Sequence, residues 1–231
     1  MLKQRKVKQL VVAAGGVGKR LDKDLNPLSS KVLIECNGKT LLWYLLNWAK
    51  QAGIKEFFIS VNKKNKKKIN NIAKSLGLKY YLKLTSPSFR GVPLLFEKKL
   101  DNRFMVICGH HPIPKQHLTK MLNSKKTIVF SAFSHPCKSQ RQILVTSTNK
   151  LKPNSKYNPK SYYLDSPFII TKSLSKKMRS VNFQKTMHQL VYDYWLKKRS
   201  LGIIRTEIPA EFDDCNEFEE YLRFLKNKLK C

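Results

Sequence analysis

The sequence predicts an α/β fold, three layers α/β/α on a mixed, mostly parallel twisted sheet of Rossmann-like build, and three observations carry that reading. Short apolar runs of strand length alternate with segments whose apolar residues recur at three- and four-residue spacing, the order expected of parallel βαβ units with right-handed crossovers. Two of the helical segments stop at a glycine, Gly53 and Gly77. A chain of 231 residues, 42% of them apolar, can bury one sizeable core, and no internal repeat divides it.

Residues 8–13 begin as a short apolar strand, and residues 31–36 make a second, shorter extended piece. Residues 39–52 read as a helix with Leu41, Leu42, Leu45, Leu46 and Ala49 on one face. Residues 57–61 form a buried strand, 66–76 a helix and 78–82 an extended segment. After a loop at 85–90, residues 94–100 read as helical. Residues 104–108 are an apolar strand running into the polar turn Gly109-His110-His111-Pro112. A helix is expected at 116–122 and strands at 127–133 and 142–146. Two prolines and two asparagines make 150–160 a loop within the domain. Residues 162–170 resume an extended course, 187–196 form a helix, 203–208 a late strand and 216–229 a closing helix with Phe218, Tyr221, Leu222 and Leu225 on one face.

Charge narrows the partners. Lys and Arg total 46 against 15 Asp and Glu, a net charge of +31 with a pI near 10.1. Such a field attracts polyanions: nucleic acid, anionic membrane or phosphorylated small molecules. The cations run from Lys3 to Lys230, with dense stretches at Lys63-Lys64 and Lys66-Lys67-Lys68. No aromatic and basic string of the RNA-recognition kind, no zinc-finger spacing and no basic region leading into heptads accompanies them. Nucleic-acid binding is therefore expected to be weak, salt-labile and sequence-independent, with a lysine-rich solvated face accounting for most of the charge. Five cysteines without C-x-x-C spacing fit neither a disulfide framework nor a zinc site, and a reducing, cytoplasmic setting is expected. The apolar run at residues 10–14 is too short for a signal-peptide core, and no stretch approaches a membrane span.

The stretch Ala14-Gly15-Gly16-Val17-Gly18-Lys19-Arg20-Leu21 comes directly after the first strand. Glycines let backbone N–H groups approach an anion, and Lys19 and Arg20 add charge. The stretch lacks the full Walker pattern and the dinucleotide spacing, so on the glycines alone it fits a flexible turn as well as a phosphate-holding loop.

Taken with the segments downstream of it, the stretch resembles the AGG-x-G-T-R-L loop of the sugar-phosphate nucleotidyltransferases, enzymes of a GT-A-like, nucleotide-diphospho-sugar transferase-like fold. Ser30-Lys31-Val32-Leu33 and Asn37-Gly38-Lys39-Thr40-Leu41-Leu42 are similar to that family's P-K-x-L and G-K-P-L-L pieces. Gly53-Ile54 fits its helix-Gly-Ile-strand pattern, Gly91 with Leu94-Leu95 its base contact, and Phe104 to His110 its strand ending in Gly-Asp. Asp214-Cys215-Asn216-Glu217-Phe218-Glu219-Glu220-Tyr221 resembles D-I-N-T-P-E-D-L, so the likeness reaches nearly the whole chain, with most of its specificity in the first sixty residues.

The resemblance implies a single domain, 1–231, with a nucleotide-binding half to about residue 112 and an acceptor-binding half from about 113. It implies transfer of a nucleotidyl group from an NTP to a sugar phosphate or similar alcohol phosphate, with Mg²⁺, or Mn²⁺ in its place, and release of pyrophosphate. Ala14, Gly15, Gly16, Gly18 and Lys19 would hold the triphosphate, Arg20 would clamp its outer oxygens, and Lys31 would sit by the α-phosphate. Gly91 would meet the base, and Asp165, in the turn Asp165-Ser166-Pro167, would contact the acceptor.

The sequence also departs from the family. His110 stands where the first metal-binding aspartate belongs, while Asp214 is retained beside Asp213. Carboxylate oxygens suit Mg²⁺ far better than imidazole. His110 is then a substitute ligand beside Asp214, the mark of a catalytically impaired copy that binds nucleotide and regulates, or a sign that the ligand lies elsewhere. Asp213 and Asp214 also fit a D-x-D-like metal site or, for Asp214, a helix N-cap. Lys19 replaces the loop threonine and Ser30 the proline before Lys31. Three functions are expected, in this order: nucleotidyltransferase, impaired nucleotide-binding relative, and polyanion binder. Base, acceptor and oligomeric state are not encoded in any motif found.

Overall fold

The computed structural model describes residues 6–16, 30–84, 91–135, 143–146, 148, 150–153, 162–180, 201–209, 219–220 and 222–223. In chain order these give β1 (Gln9–Ala13), a 3-10 turn (Lys31–Leu33), β2 (Glu35–Cys36), β3 (Lys39–Thr40), α1 (Leu41–Ala52), β4 (Glu56–Val61), α2 (Lys66–Ser75) and β5 (Lys79–Leu84). Then come α3 (Val92–Leu95), a 3-10 turn (Glu97–Lys99), β6 (Arg103–Cys108), α4 (Lys115–Leu122), β7 (Val129–His135), β8 (Ile143–Val145), β9 (Leu151–Pro153), β10 (Tyr162–Thr171), α5 (Lys172–Ser180) and β11 (Gly202–Pro209).

The main sheet runs β11-β7-β10-β6-β1-β4-β5. β1 is central, parallel to β4 on one side and β6 on the other. β10 lies antiparallel between β6 and β7, while β11 is parallel to β7 and β5 to β4. β8 pairs antiparallel with β10, and β9 with β8. The sheet is therefore mixed and mostly parallel along its main order, as the sequence predicts. β2 and β3 form a small hairpin of their own.

Alternation along the strands divides the core into two layers. Leu10 and Val12 of β1, Phe57, Ile59 and Val61 of β4, and Met105 and Ile107 of β6 belong to the cluster that α1, α2 and α4 cover. Val11, Phe58, Phe104 and Val106 belong to the opposite cluster, with Val92 of α3 and Leu174 of α5. Near-continuous apolar strands are what a sheet buried on both faces requires. α1 begins because the Thr40 hydroxyl accepts the Trp43 N–H at 3.1 Å, and it ends at Gly53, whose φ of 106° only glycine adopts freely.

Four segments differ from the expectation. Residues 31–33 form a 3-10 turn rather than a strand, closed by the Leu33 N–H on Ser30 O at 2.9 Å, with Val32 and Leu33 buried. The helix expected at 94–100 is instead α3 and a 3-10 turn. Residues 151–153, expected in a loop, form β9 because Leu151 is buried opposite Val145; Pro153 sits at the strand's last position, where a proline is tolerated. α5 is additional. Its apolar signal is faint, and its start is fixed locally by the Thr171 hydroxyl accepting the Leu174 N–H at 3.2 Å. The helix expected at 187–196 lies outside the described residues, as does most of that at 216–229, of which 219, 220, 222 and 223 are helical.

One polar pair is buried between α4 and β7. His117 Nε2 and Ser131 Oγ are 2.8 Å apart, and the Ser131 hydroxyl also reaches Met121 Sδ at 3.1 Å. Burial, with the Lys120 charge adding, lowers the imidazole pKa to about 4. The folded value lies below the unfolded one, so this stabilisation is complete above pH ~6.5 and is lost as pH falls toward 4. The loss should reach about 3 kcal/mol. Urea midpoints measured across that window should fall, and His117→Leu should flatten that part of the slope.

Candidate functional site

The site is built where β1, β4 and β6 end together. The Ala14 N–H donates to Ser60 O at 3.1 Å, and the Gly109 N–H donates to Ala13 O at 3.0 Å. The chain leaves β1 through buried Ala14 and Gly15 and surfaces at Gly16. In open α/β sheets these carboxyl ends are where ligands bind.

The turn carrying Lys31 is packed onto the same strand ends. A Cβ on Gly109 would lie 3.0 Å from Val32 Cγ1, 3.1 Å from Ala13 O and 3.1 Å from Ala14 Cβ. Glycine at 109 thus lets β6, β1 and the 3-10 turn close on one another without a clash. Gly109→Ala is expected to cost about 1–3 kcal/mol, since a backbone carbonyl among the contacts cannot swing aside. A urea titration checks it; a wild-type midpoint would mean the three ends are not held this tightly.

Two asparagines join the same ends from the α2 side. Asn65 is 1% exposed; its Nδ2 donates to Ala14 O at 2.8 Å and to Ser30 Oγ at 3.2 Å. Asn62 Nδ2 donates to Gly15 O at 3.3 Å. Each asparagine's Oδ1 accepts the other's backbone N–H, at 2.9 and 2.8 Å, the reciprocal arrangement of a capping box.

Past Gly109 the half-buried His110 ring meets the His111 ring edge to face, with centroids 4.4 Å apart. Buried His111 shares a 2.8 Å hydrogen bond between Nδ1 and Ser166 Oγ, and that oxygen also accepts the Cys108 N–H at 3.4 Å. Ser166 lies where the β10 register shifts against β7. The preceding Asp165 is 8% exposed, and its Oδ1 accepts the Ser166 N–H at 2.6 Å.

Of the residues singled out in the sequence, Ala14, Gly15, Gly16, Lys31 and His110 come together at the ends of β1 and β6, with Asp165 joined to that end through Ser166. Gly91 caps the start of α3, which packs against β1 from the other face of the sheet. Its φ of −78° is ordinary and a Cβ there would meet nothing within 4 Å, so the backbone does not require glycine. Gly18, Lys19, Arg20 and Asp214 lie outside the described residues. Among the described residues no cluster of three or more His, Cys, Asp or Glu could hold a metal ion. His110 offers nitrogen, which suits Mg²⁺ poorly, so the described residues alone do not make a Mg²⁺ site. No helix among them is long and apolar enough to cross a membrane.

No protein-family profile matches the sequence, and neither does any curated protein. Solved structures do match. The inositol-1-phosphate CTP transferase from T. maritima superposes with a TM-score of 0.76 at 16% identity, covering 92% of this chain and 91% of that one. The chain has the sugar-phosphate nucleotidyltransferase fold. A second structure of the nucleotidyltransferase fold, 4-diphosphocytidyl-2C-methyl-D-erythritol synthase from Anaerococcus prevotii, gives a TM-score of 0.68 at 14% identity over 96% of this chain and 99% of that one. A Bacillus anthracis protein assigned as a glucose-1-phosphate thymidylyltransferase, solved with sucrose, gives 0.72 at 14% identity over 86% and 87%.

Sequence reasoning missed Asn62, Asn65, Ser166 and His111. A capping-type signal, asparagines three residues apart ahead of a helix, was present at 62 and 65 but stands inside a lysine run. Ser166 and His111 are 55 residues apart, and no local pattern links them.

Proposed function

We propose that this chain transfers a nucleotidyl group from an NTP to a phosphorylated small molecule, a sugar phosphate or similar alcohol phosphate, releasing pyrophosphate. The observation that carries the reading is the convergence of the Ala14-Gly15-Gly16 backbone and the Lys31 turn at the carboxyl end of β1, in a chain with the nucleotidyltransferase fold.

In such a transfer an acceptor phosphate oxygen attacks the α-phosphorus, the bond from that phosphorus to the bridging oxygen breaks, and pyrophosphate leaves with the electron pair. Catalysis is then mostly positioning and charge neutralisation. The amides of residues 15 to 18 hold the triphosphate, with Lys19 adding charge and Arg20 clamping its outer oxygens. Lys31 faces the α-phosphate, Gly91 approaches the base and Asp165 orients the acceptor. A divalent ion, Mg²⁺ or Mn²⁺, would be held by the Asp214 carboxylate, with His110 as a substitute ligand, and would supply neutralisation of the triphosphate charge. The reading takes residues 1–231 as one domain, with nucleotide held by the part before about residue 112 and acceptor by the part after.

The test is pyrophosphate release by the purified chain given Mg²⁺, each NTP in turn and a panel of phosphorylated acceptors. Turnover with one pair is the expected result, and none with any pair refutes the reading.

His110 favours a second reading, a nucleotide-binding protein with impaired chemistry. It expects thermal stabilisation by nucleotide without dependence on Mg²⁺. Activity created by His110→Asp in an otherwise silent chain would select it. Lys63, Lys64 and Lys66 to Lys68 are exposed and make no ion pair with a described residue, which accommodates polyanions only as weak, salt-labile ligands.

A further inference from the structure

We propose that Asn65, assisted by Asn62, is a positioning residue that fixes which way the glycine-loop amides face and holds the Lys31 turn in register with them. This rests on the nucleotidyltransferase reading and deepens it, since nothing in the sequence motif assigns either asparagine.

The geometry comes from the planar trans peptide, in which a residue's C=O and the next residue's N–H point in opposite directions. Asn65 draws the Ala14 carbonyl toward α2 and Asn62 draws the Gly15 carbonyl the same way. The N–H groups of Gly15 and Gly16 are thereby turned to the side away from the asparagines. Neither donates to any described residue. Two successive amides turned away from the asparagines are open to an anion on that side.

The second Asn65 amide proton extends the device to the lysine. It goes to Ser30 Oγ, immediately before Lys31, in a seryl residue that is fully buried. Both Nδ2 protons of Asn65 are thus committed, one to each half of the proposed phosphate site, and Oδ1 is committed to the Asn62 N–H. Asn65 cannot turn without releasing the loop, the turn and its partner asparagine together.

Asn65→Asp keeps the oxygen that accepts the Asn62 N–H but sets a carboxylate oxygen against the Ala14 carbonyl. Asn62→Ala removes only the pull on Gly15. The probe is inorganic tripolyphosphate without metal, titrated calorimetrically, so that base and acceptor are irrelevant. Asn65→Asp should weaken binding at least about tenfold and Asn62→Ala by about threefold, the loss of one to two hydrogen bonds. The exposed neighbour Asn71→Ala should bind as wild type does.

A merely structural lesion reduces the fraction of binding-competent protein and lowers the stoichiometry at unchanged Kd; a lost clamp raises Kd at full stoichiometry. In turnover, the corresponding signature is a raised KM for NTP. If Asn65→Asp fails to fold, Asn62→Ala decides. Wild-type Kd in whichever of the two is folded overturns the clamp, and does so even if the wild type releases pyrophosphate. Wild-type protein that binds tripolyphosphate through Asn65 yet turns over no substrate pair leaves the clamp standing and sinks the enzymatic reading instead. Wild-type protein that does not bind tripolyphosphate overturns the clamp outright.

Discussion

Lys31→Ala is expected to lower the rate of pyrophosphate release by about 100- to 1,000-fold, the loss caused by removing one preorganised charge from a site where negative charge develops. The fold should survive the change. Lys31 is half-buried, and the turn it begins is held by the Ser30–Leu33 backbone hydrogen bond and by the buried Val32 and Leu33. Because the lysine is proposed to face the α-phosphate rather than the outer phosphates, kcat should fall more than KM for NTP rises. Lys31→Arg should recover only part of the rate, since a broad planar guanidinium replaces a compact ammonium. Steady-state kinetics of the three proteins, with urea midpoints alongside, separate these outcomes. An alanine variant with wild-type kcat would make Lys31 an ordinary surface cation.

Asp214→Asn is expected to abolish Mg²⁺-dependent activity, whereas His110→Ala has the smaller effect. The order is set by donor chemistry. Asparagine keeps the shape of aspartate but loses the charge and the hard anionic oxygen that Mg²⁺ selects, while imidazole contributes little to such an ion. His110 already has an aromatic neighbour in His111, and the described residues around it provide no carboxylate cluster. The reverse order of severity would move the metal to His110. Binding would then prefer Mn²⁺, Co²⁺ or Zn²⁺ over Mg²⁺. Metal titrations of both variants with bound nucleotide decide between these outcomes.

The parts of the fold that could be read from sequence are those where a long apolar period decides the structure. β1, α1, β4, α2, β6 and α4 all lie within a few residues of their expected places because their buried faces repeat several times. β9 was hidden because Leu151 is buried by a partner strand that no local window contains, and the prolines nearby signal only a turn. For the candidate site, the spaced motif singles out Ala14, Gly15, Gly16 and Lys31, and these meet at the carboxyl end of β1. Asn65 was not legible, since an asparagine among lysines reads as solvated until Ala14 O and Ser30 Oγ are seen against it. The His111–Ser166 contact depends on β10 lying beside β6, a pairing that only the assembled sheet creates.

The placement of β1 also bears on what happens when the chain is shortened or still emerging. β1 has β4 on one edge and β6 on the other, so its second set of hydrogen-bonding groups waits for residues 103–108. A fragment ending anywhere between β5 and β6 presents the open edge of a largely apolar strand, flanked by Phe57 to Ile59 on its neighbour. Exposed edges of that kind template pairing with other chains. Truncations before residue 108 should therefore be sticky rather than merely unstable, and limited proteolysis of the native protein should spare every bond between the start of β1 and the end of β4 that lies inside a strand.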